Sequence, residues 1–268
     1  MKRLSALVAI AFVAWMLPSF QADGKTKAGS DAAQIIVELG DAVTFGEFTY
    51  DDATIEVSEE FFNPQGSIEF KFAGTPISLG AEFMMSENEF TGEYDDGDGS
   101  VDAERQKLVA FIRFGSKNGS YLRLGYANAS YDFSNARISM PGELITDGEA
   151  SSDMTTGADA EINLALGSTV QFALALGASY FIDAEYDWSY MSSVNGAQSG
   201  EAEADTISVR VRPELSFEVT DNLRVFVNGT LQGTTWDVDE DTDDATPDYV
   251  GIDVYSAVAG GIRYTFGL

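Results

Sequence analysis

From Ile207 to Val219 the chain alternates between two chemistries at every step. Ile207, Val209, Val211, Pro213, Leu215, Phe217 and Val219 fall on one parity, and Ser208, Arg210, Arg212, Glu214, Ser216 and Glu218 on the other. After Thr220–Asp221–Asn222 the pattern restarts with Leu223, Val225, Val227 and Leu231 opposite Arg224, Asn228 and Thr230, with Phe226 the one apolar residue on the polar side. Period-two alternation on both sides of a turn-forming triplet specifies a β-hairpin with one apolar and one polar face. Such a hairpin either sets its apolar face on a core and its polar face in water, or its apolar face in lipid and its polar face in a lumen.

The same pattern recurs through most of the chain. Ile68, Phe70 and Phe72 precede a Gly74–Thr75–Pro76 turn, and Ile77, Leu79, Ala81 and Phe83 follow it. Leu108, Ala110, Ile112 and Phe114 lead to Ser116–Gly119, then to Leu122, Leu124 and Tyr126. Ala160, Ile162, Leu164 and Leu166 lead through Gly167–Ser168 to Val170, Phe172, Leu174, Leu176, Ala178 and Tyr180. Ala33–Phe48 reads as a weakly patterned first strand, Thr54–Phe62 as a strand or part of an ordered loop, and Val254–Phe266 as the last strand. Between the tight turns lie long polar segments read as loops: Glu87–Glu104, Ser130–Thr156, Trp188–Ala204 and Trp236–Asp248. No helical period and no domain linker is visible, so one meander of about ten strands (8–12) is expected.

Lys2 and Arg3, the apolar run Leu4–Met16 and the polar Leu17–Ala22 form a secretory leader expected over residues 1–22. The run is shorter than the ~20 residues that span a bilayer as a helix. A flexible segment, 23–32, then precedes a β domain over 33–268.

Charge narrows the partners. The 268 residues carry a formal charge of −29, with 44 acidic residues against 15 basic ones, which argues against nucleic acid. Cysteine and histidine are both absent. No disulfide framework is available, and neither is the usual general base of hydrolytic catalysis.

Three features favour lipid outside. Short turns and long connections alternate, as in membrane barrels with tight turns on one edge and long loops on the other. Aromatics stand at the ends of the apolar stripes: Phe72, Phe114, Phe217, Tyr264 and Phe266 near the tight turns, and Tyr126, Tyr180 and Trp236 near the loops. The polar parity carries charges mid-strand, which in lipid would cost up to roughly 2–4 kcal/mol each. These candidate lumen-lining residues are Glu69, Lys71, Glu82, Arg113, Arg123, Glu161, Arg210, Arg212, Glu214, Arg224 and Arg263. Arg210, Arg212 and Arg224 are expected to pair with Glu214, Glu161, Glu69 and Glu82. Pro213 lacks the N–H that a central strand needs, so a bulge or a missing hydrogen bond is expected there.

The terminal AGGIRYTF is similar to the assembly signal of bacterial outer-membrane β-barrel proteins, with Gly261 followed by spaced aromatics Tyr264 and Phe266; Gly267 and Leu268 then follow. The resemblance spans nearly all of the mature chain at the level of architecture. It implies a transmembrane antiparallel up-and-down barrel with short periplasmic turns and long acidic outer loops, in the outer membrane of a Gram-negative bacterium. It also implies outer-membrane lipid and the barrel-assembly machinery as partners. Enzymes of this architecture use a histidine base, which this chain lacks, so a non-enzymatic protein without a cofactor is expected.

One local motif remains. In Tyr94–Glu104 the residues Asp96, Asp98, Asp102 and Glu104 approximate a calcium-loop spacing, but Tyr94 and Arg105 stand where the first and last ligands belong. Weak calcium binding there is one reading, and a solvated acidic tip is the other. The expectation is a monomeric barrel with a structural or surface-exposed role and a largely filled lumen. The alternatives are a narrow porin-like channel for small solutes and a soluble lipocalin-like barrel holding an apolar ligand.

Overall fold

The structure, a computed structural model, describes residues 32–50, 53–60, 63–94, 97–152, 154–239 and 249–268. The leader, nearly all of the 23–32 segment, and Asp95, Asp96 and most of the last acidic connection lie outside these residues. The described residues form twelve strands: β1 Gln34–Tyr50, β2 Ala53–Glu60, β3 Asn63–Lys71, β4 Ile77–Tyr94, β5 Gly97–Gly115, β6 Tyr121–Met140, β7 Glu143–Ser152, β8 Thr155–Gly167, β9 Val170–Ser192, β10 Gly196–Thr220, β11 Leu223–Asp239 and β12 Tyr249–Gly267.

Two pairs of these strands share a stave. Both β2 and β3 lie between β1 and β4, and both β7 and β8 lie between β6 and β9. Each pair is one stave broken in the middle, so the twelve strands make ten staves. Every neighbouring pair is antiparallel, and β1 pairs with β12 from Gln34–Gly267 to Thr49–Ile252, which closes the ring. Thr54–Glu60 is therefore the upper half of the second stave rather than a loop. Among the described residues closure leaves no free edge strand.

Five short-turn ends gather on one edge: the β3–β4, β5–β6, β8–β9 and β10–β11 connections, and the chain's own two ends, where the Leu268 N–H donates to the Ala33 carbonyl at 3.0 Å. At the opposite edge the strands run further than the alternation suggested. Gly97–Glu104 belongs to β5, Ser130–Met140 to β6, Trp188–Ser192 to β9 and Gly196–Ala204 to β10. These segments are hairpin extensions, not loops. Their apolar stripe is lost because the outer face no longer meets lipid, while the backbone ladder continues regardless of side-chain polarity.

The change of environment is marked by irregularities. Asn135, Asp147 and Asp183 adopt positive φ, and the β9–β10 register shifts between Ala204 and Thr206. There Asp205 accepts hydrogen bonds from the Asp183 N–H and the Tyr180 hydroxyl, both at 3.0 Å. That bulge lies immediately above Ile182, where the outward apolar stripe of β9 ends.

Pro213 realises one of its two expectations. Pairing with β11 holds at Val211–Leu231, lapses, and resumes at Glu214–Asn228 in the same register, while pairing with β9 is unbroken. A hydrogen bond is missing and no bulge forms. Gly229 stands opposite the proline ring. Phe226, the apolar residue on the polar parity, lies inside across the β1–β12 seam, where its ring covers Gly40 and Gly261.

Candidate functional site

Burial in this chain is inverted. The largest fully buried side chains are Arg113 and Arg123, both 0 % exposed, whereas Val209 is 58 %, Ile162 48 % and Leu176 47 % exposed. A soluble protein rarely leaves so extended an apolar surface in water or buries so many charges. On β10 the stripe Ile207–Val219 covers thirteen residues, enough for a tilted strand to cross a hydrocarbon layer, which takes about 9–11. Apolar outside and charged inside is the arrangement of a transmembrane β-barrel. It overturns the lipocalin-like alternative, which needs an apolar lumen to hold an apolar ligand.

The lumen is crossed by ion pairs brought in from nearly every stave. Asp159 and Glu161, two apart on β8, project from the same face because side chains on one parity share a side. Asp159 accepts from Arg210 at 2.8 and 3.0 Å, from Arg123 and Lys107 each at 3.0 Å, and from the Ser179 hydroxyl at 2.8 Å. Glu161 accepts from Arg212 at 2.9 Å, from Arg210 at 3.2 Å and from the Tyr121 hydroxyl at 2.7 Å. Arg123 also donates to Glu82 at 2.6 Å, joining β4 to β6 and β8.

A second layer closes the short-turn end. Arg263 donates to Glu38 at 2.7 Å and to Glu214 at 3.0 and 3.1 Å. Lys117, from the β5–β6 turn, folds inward and reaches Glu38 at 3.2 Å. Arg113 pairs with Glu69, which also accepts from Ser78, and its guanidinium lies 4.8 Å from the Phe111 ring and 4.3 Å from that of Tyr121.

Taking a charge out of water costs several kcal/mol, and an ion pair offsets this only with good geometry and further hydrogen bonds. Asp159 and Glu161 meet that condition, each with three or more donors. Both carboxylates are thereby held as acceptors among cations, which leaves neither poised as an acid or base.

Among the residues singled out from sequence, Glu69, Arg113, Arg123, Glu161, Arg210 and Arg263 are buried in the lumen, and Glu82, Arg212 and Glu214 are half-buried in it. Lys71 and Arg224 sit near the short-turn rim. The pairing differs from expectation in three places. Arg224 pairs with Glu218 at 2.9 Å and bonds the Ser168 carbonyl, Glu214 pairs with Arg263, and Glu69 with Arg113. Proximity along the barrel axis decides these: Arg224 lies beside Glu218 in register, at the rim rather than the middle.

Sequence reasoning missed Glu38, Lys107, Lys117 and Asp159. Asp159 and Lys107 share the parity of Glu161 and Arg113, so extending each strand by a few residues would have found them. Lys117 reads as a turn residue, and nothing in its neighbourhood signals an inward side chain. Asp98, Asp102 and Glu104 of the calcium-like motif are paired in the β4–β5 ladder. Among the described residues no cluster of three acidic groups could hold a metal ion.

Cavities interrupt the packing. One of about 50 Å³ lies on the long-hairpin side, bounded by Ala42, Ala257, Ala259, Glu82, Lys107, Arg210 and Arg212 among others. One of about 10 Å³ lies on the short-turn side, bounded by Lys117, Tyr121, Glu214, Arg263 and Arg212 among others. Small residues leave the larger void. Val109, Phe111, Tyr131 and Phe181 fill the opposite wall.

No family model matches the chain, and no curated protein does. Among solved structures it is similar to the outer membrane protease OmpT from Escherichia coli, at 14 % identity over 91 % of this chain and 100 % of that one, TM-score 0.47. It is also similar to the translocator domain of autotransporter NalP from Neisseria meningitidis, at 13 % identity over 98 % and 97 %, TM-score 0.45. Neisserial surface protein A gives 11 % identity over 87 % and 96 %, TM-score 0.34. At these scores the residues of this chain, not the likenesses, bear the functional reading.

Proposed function

We propose that this chain is an integral barrel of a Gram-negative outer membrane, with a structural or surface-exposed role and a lumen closed to solutes at rest. The observation that supports it most is the double layer of ion pairs. Asp159 and Glu161 tie Arg123, Lys107, Arg210 and Arg212 together across the middle, and Arg263, Glu38, Glu214 and Lys117 close the short-turn end. Ten staves lie near the size at which side chains fill a barrel. What remains to act is the outer edge, where β4–β5, β6–β7 and β9–β10 rise beyond the apolar band as one acidic six-stranded extension.

The role is non-enzymatic. The chain has no histidine, and its buried carboxylates are committed to arginines. The terminal strand β12 supplies the assembly signal through Gly261, Tyr264 and Phe266 and closes the barrel against β1. Recording from a planar bilayer holding the refolded protein tests the reading. The current should stay flat at constant voltage; discrete steps from the unaltered chain would replace it with the narrow channel.

A further inference from the structure

Five aromatic rings inside the barrel each hold a cation of this chain. Arg105 lies 5.1 Å from the Tyr131 ring, Lys107 5.8 Å from Phe181 and Arg113 4.3 Å from Tyr121. Arg123 lies 5.3 Å from Phe111, and Arg263 5.4 Å from Phe226. Further out on the same inner face, Trp188 and Tyr190 stack with centroids 5.7 Å apart and planes 18° apart. No described lysine or arginine lies over either ring. We propose that this pair is a platform for a small quaternary ammonium ion, a site that deepens the surface-exposed role proposed above and rests on it.

The platform is built into the sheet. Tyr186 packs on the lumenal cluster that holds Tyr131 and Phe181, and β9 pairs with β10 without a shift from Ala184 to Ser192. Trp188 and Tyr190 therefore share the inward face of Tyr186. The indole occupies the space that Gly200 leaves, since a Cβ there would come within 2.6 Å of its ring. Gly200 does not adopt a positive φ, so its missing side chain serves that space and not the backbone. Both rings stay half-buried, which leaves aromatic surface for a ligand.

Electrostatics select a cation. The β9–β10 hairpin carries Asp183, Glu185, Asp187, Glu201, Glu203 and Asp205 from 183 to 205, and no lysine or arginine. β7 beside it adds Glu143, Asp147 and Glu149, again with neither. The Glu143 carboxylate accepts from the Ser192 hydroxyl, one inward position beyond Tyr190. Such a field concentrates cations locally, and the ring quadrupole draws one over its face, most strongly at tryptophan. The remaining inner face decides which cation. Ala150 and Gly200 flank Trp188 in register, and Ala202 and Ala204 continue below, none with a side-chain acceptor. A guanidinium would leave several N–H donors short of partners, whereas a quaternary ammonium has none to satisfy.

The test is isothermal titration of the refolded barrel in a non-ionic detergent, with folding checked by heat-modifiable migration. The probes are choline and dimethylbutanol, its uncharged carbon isostere. Saturable choline binding is expected, with the isostere weaker by about tenfold or more. Trp188→Leu should weaken choline by a similar factor, while Tyr126→Leu, which removes an outward-facing ring, should leave it unchanged. No choline binding by the folded, unaltered chain overturns the site. Equal binding of the isostere overturns the cation, and unchanged binding by Trp188→Leu overturns the platform. Should Trp188→Leu not refold, Tyr190→Leu decides by the same criteria. Bilayer current bears on the closed lumen and not on this titration, so the two readings fail separately.

Discussion

Pro213 faces Gly229 across β10 and β11 at the one place where their ladder lapses without changing register. The missing N–H of the proline is enough to account for both lost pairs, since an antiparallel ladder shares its donors between adjacent positions. Gly229, with no side chain, leaves the ring unopposed. Replacing Pro213 by valine should restore a donor in a setting where water cannot substitute. A net gain of about 0.5–1.5 kcal/mol is expected for one hydrogen bond. Urea unfolding of the detergent-refolded barrel should show a higher midpoint; an unchanged or lower midpoint would mean that the ring, not the missing donor, shapes the strand.

Arginines at different depths should differ in what they hold together. Arg123→Met removes the shared partner of Glu82, Asp159 and Glu161, leaving buried carboxylates undercompensated, at a cost of about 3–5 kcal/mol. Arg224→Met, at the rim beside the half-exposed Glu218, should cost about 1 kcal/mol or less. Denaturation of the two variants under one set of conditions checks the ranking, and equal losses would contradict a network centred on β8.

The seam between β1 and β12 depends on glycine. A Cβ on Gly261 would collide with the Leu39 carbonyl oxygen and with the Phe226 ring 2.6 Å away. Backbone cannot yield as a flexible side chain can, so Gly261→Ala should impair closure and raise the fraction that migrates as unfolded protein in unboiled gels. Gly229→Ala is the control, since its Cβ would meet nothing closer than the Pro213 ring at 3.8 Å. Normal folding of Gly261→Ala would show that the seam tolerates a methyl group.

The outward stripe should reject charge. Leu176→Arg places a guanidinium in the middle of the apolar band of β9, at an expected cost of about 2–4 kcal/mol in bilayer. The same change at Glu185, exposed on the acidic extension, should be nearly neutral. Folding yield into lipid vesicles distinguishes the two sites.

How much of this was legible beforehand follows from which environments leave a period. Where one face meets apolar surroundings and the other a polar lumen, as from Ile207 to Val219 or Val170 to Tyr180, alternation marks strand, parity and lumen side together. Trp188–Ala204 shows the reverse: with no lipid against the outer face, selection for an apolar stripe vanishes although β9 and β10 continue pairing. Phe226 broke the pattern because the aromatic ring covers glycines on neighbouring strands, a relation visible only once β11, β12 and β1 are side by side. The pairing partners were hidden for the same reason. Parity says that Glu214 and Arg210 point inward, but axial position around a tilted ring decides that Glu214 meets Arg263 and Arg210 meets Asp159.

The absence of cysteine makes the central claim, apolar face to lipid and charged face to lumen, directly measurable. Single cysteines placed in turn from Ile207 to Val211, carrying a small fluorophore, can be quenched by brominated lipid in vesicles. The barrel predicts strong quenching at 207, 209 and 211 and little at 208 and 210, a period of two. Uniform quenching, or quenching of the odd positions by aqueous iodide and not by brominated lipid, would contradict it.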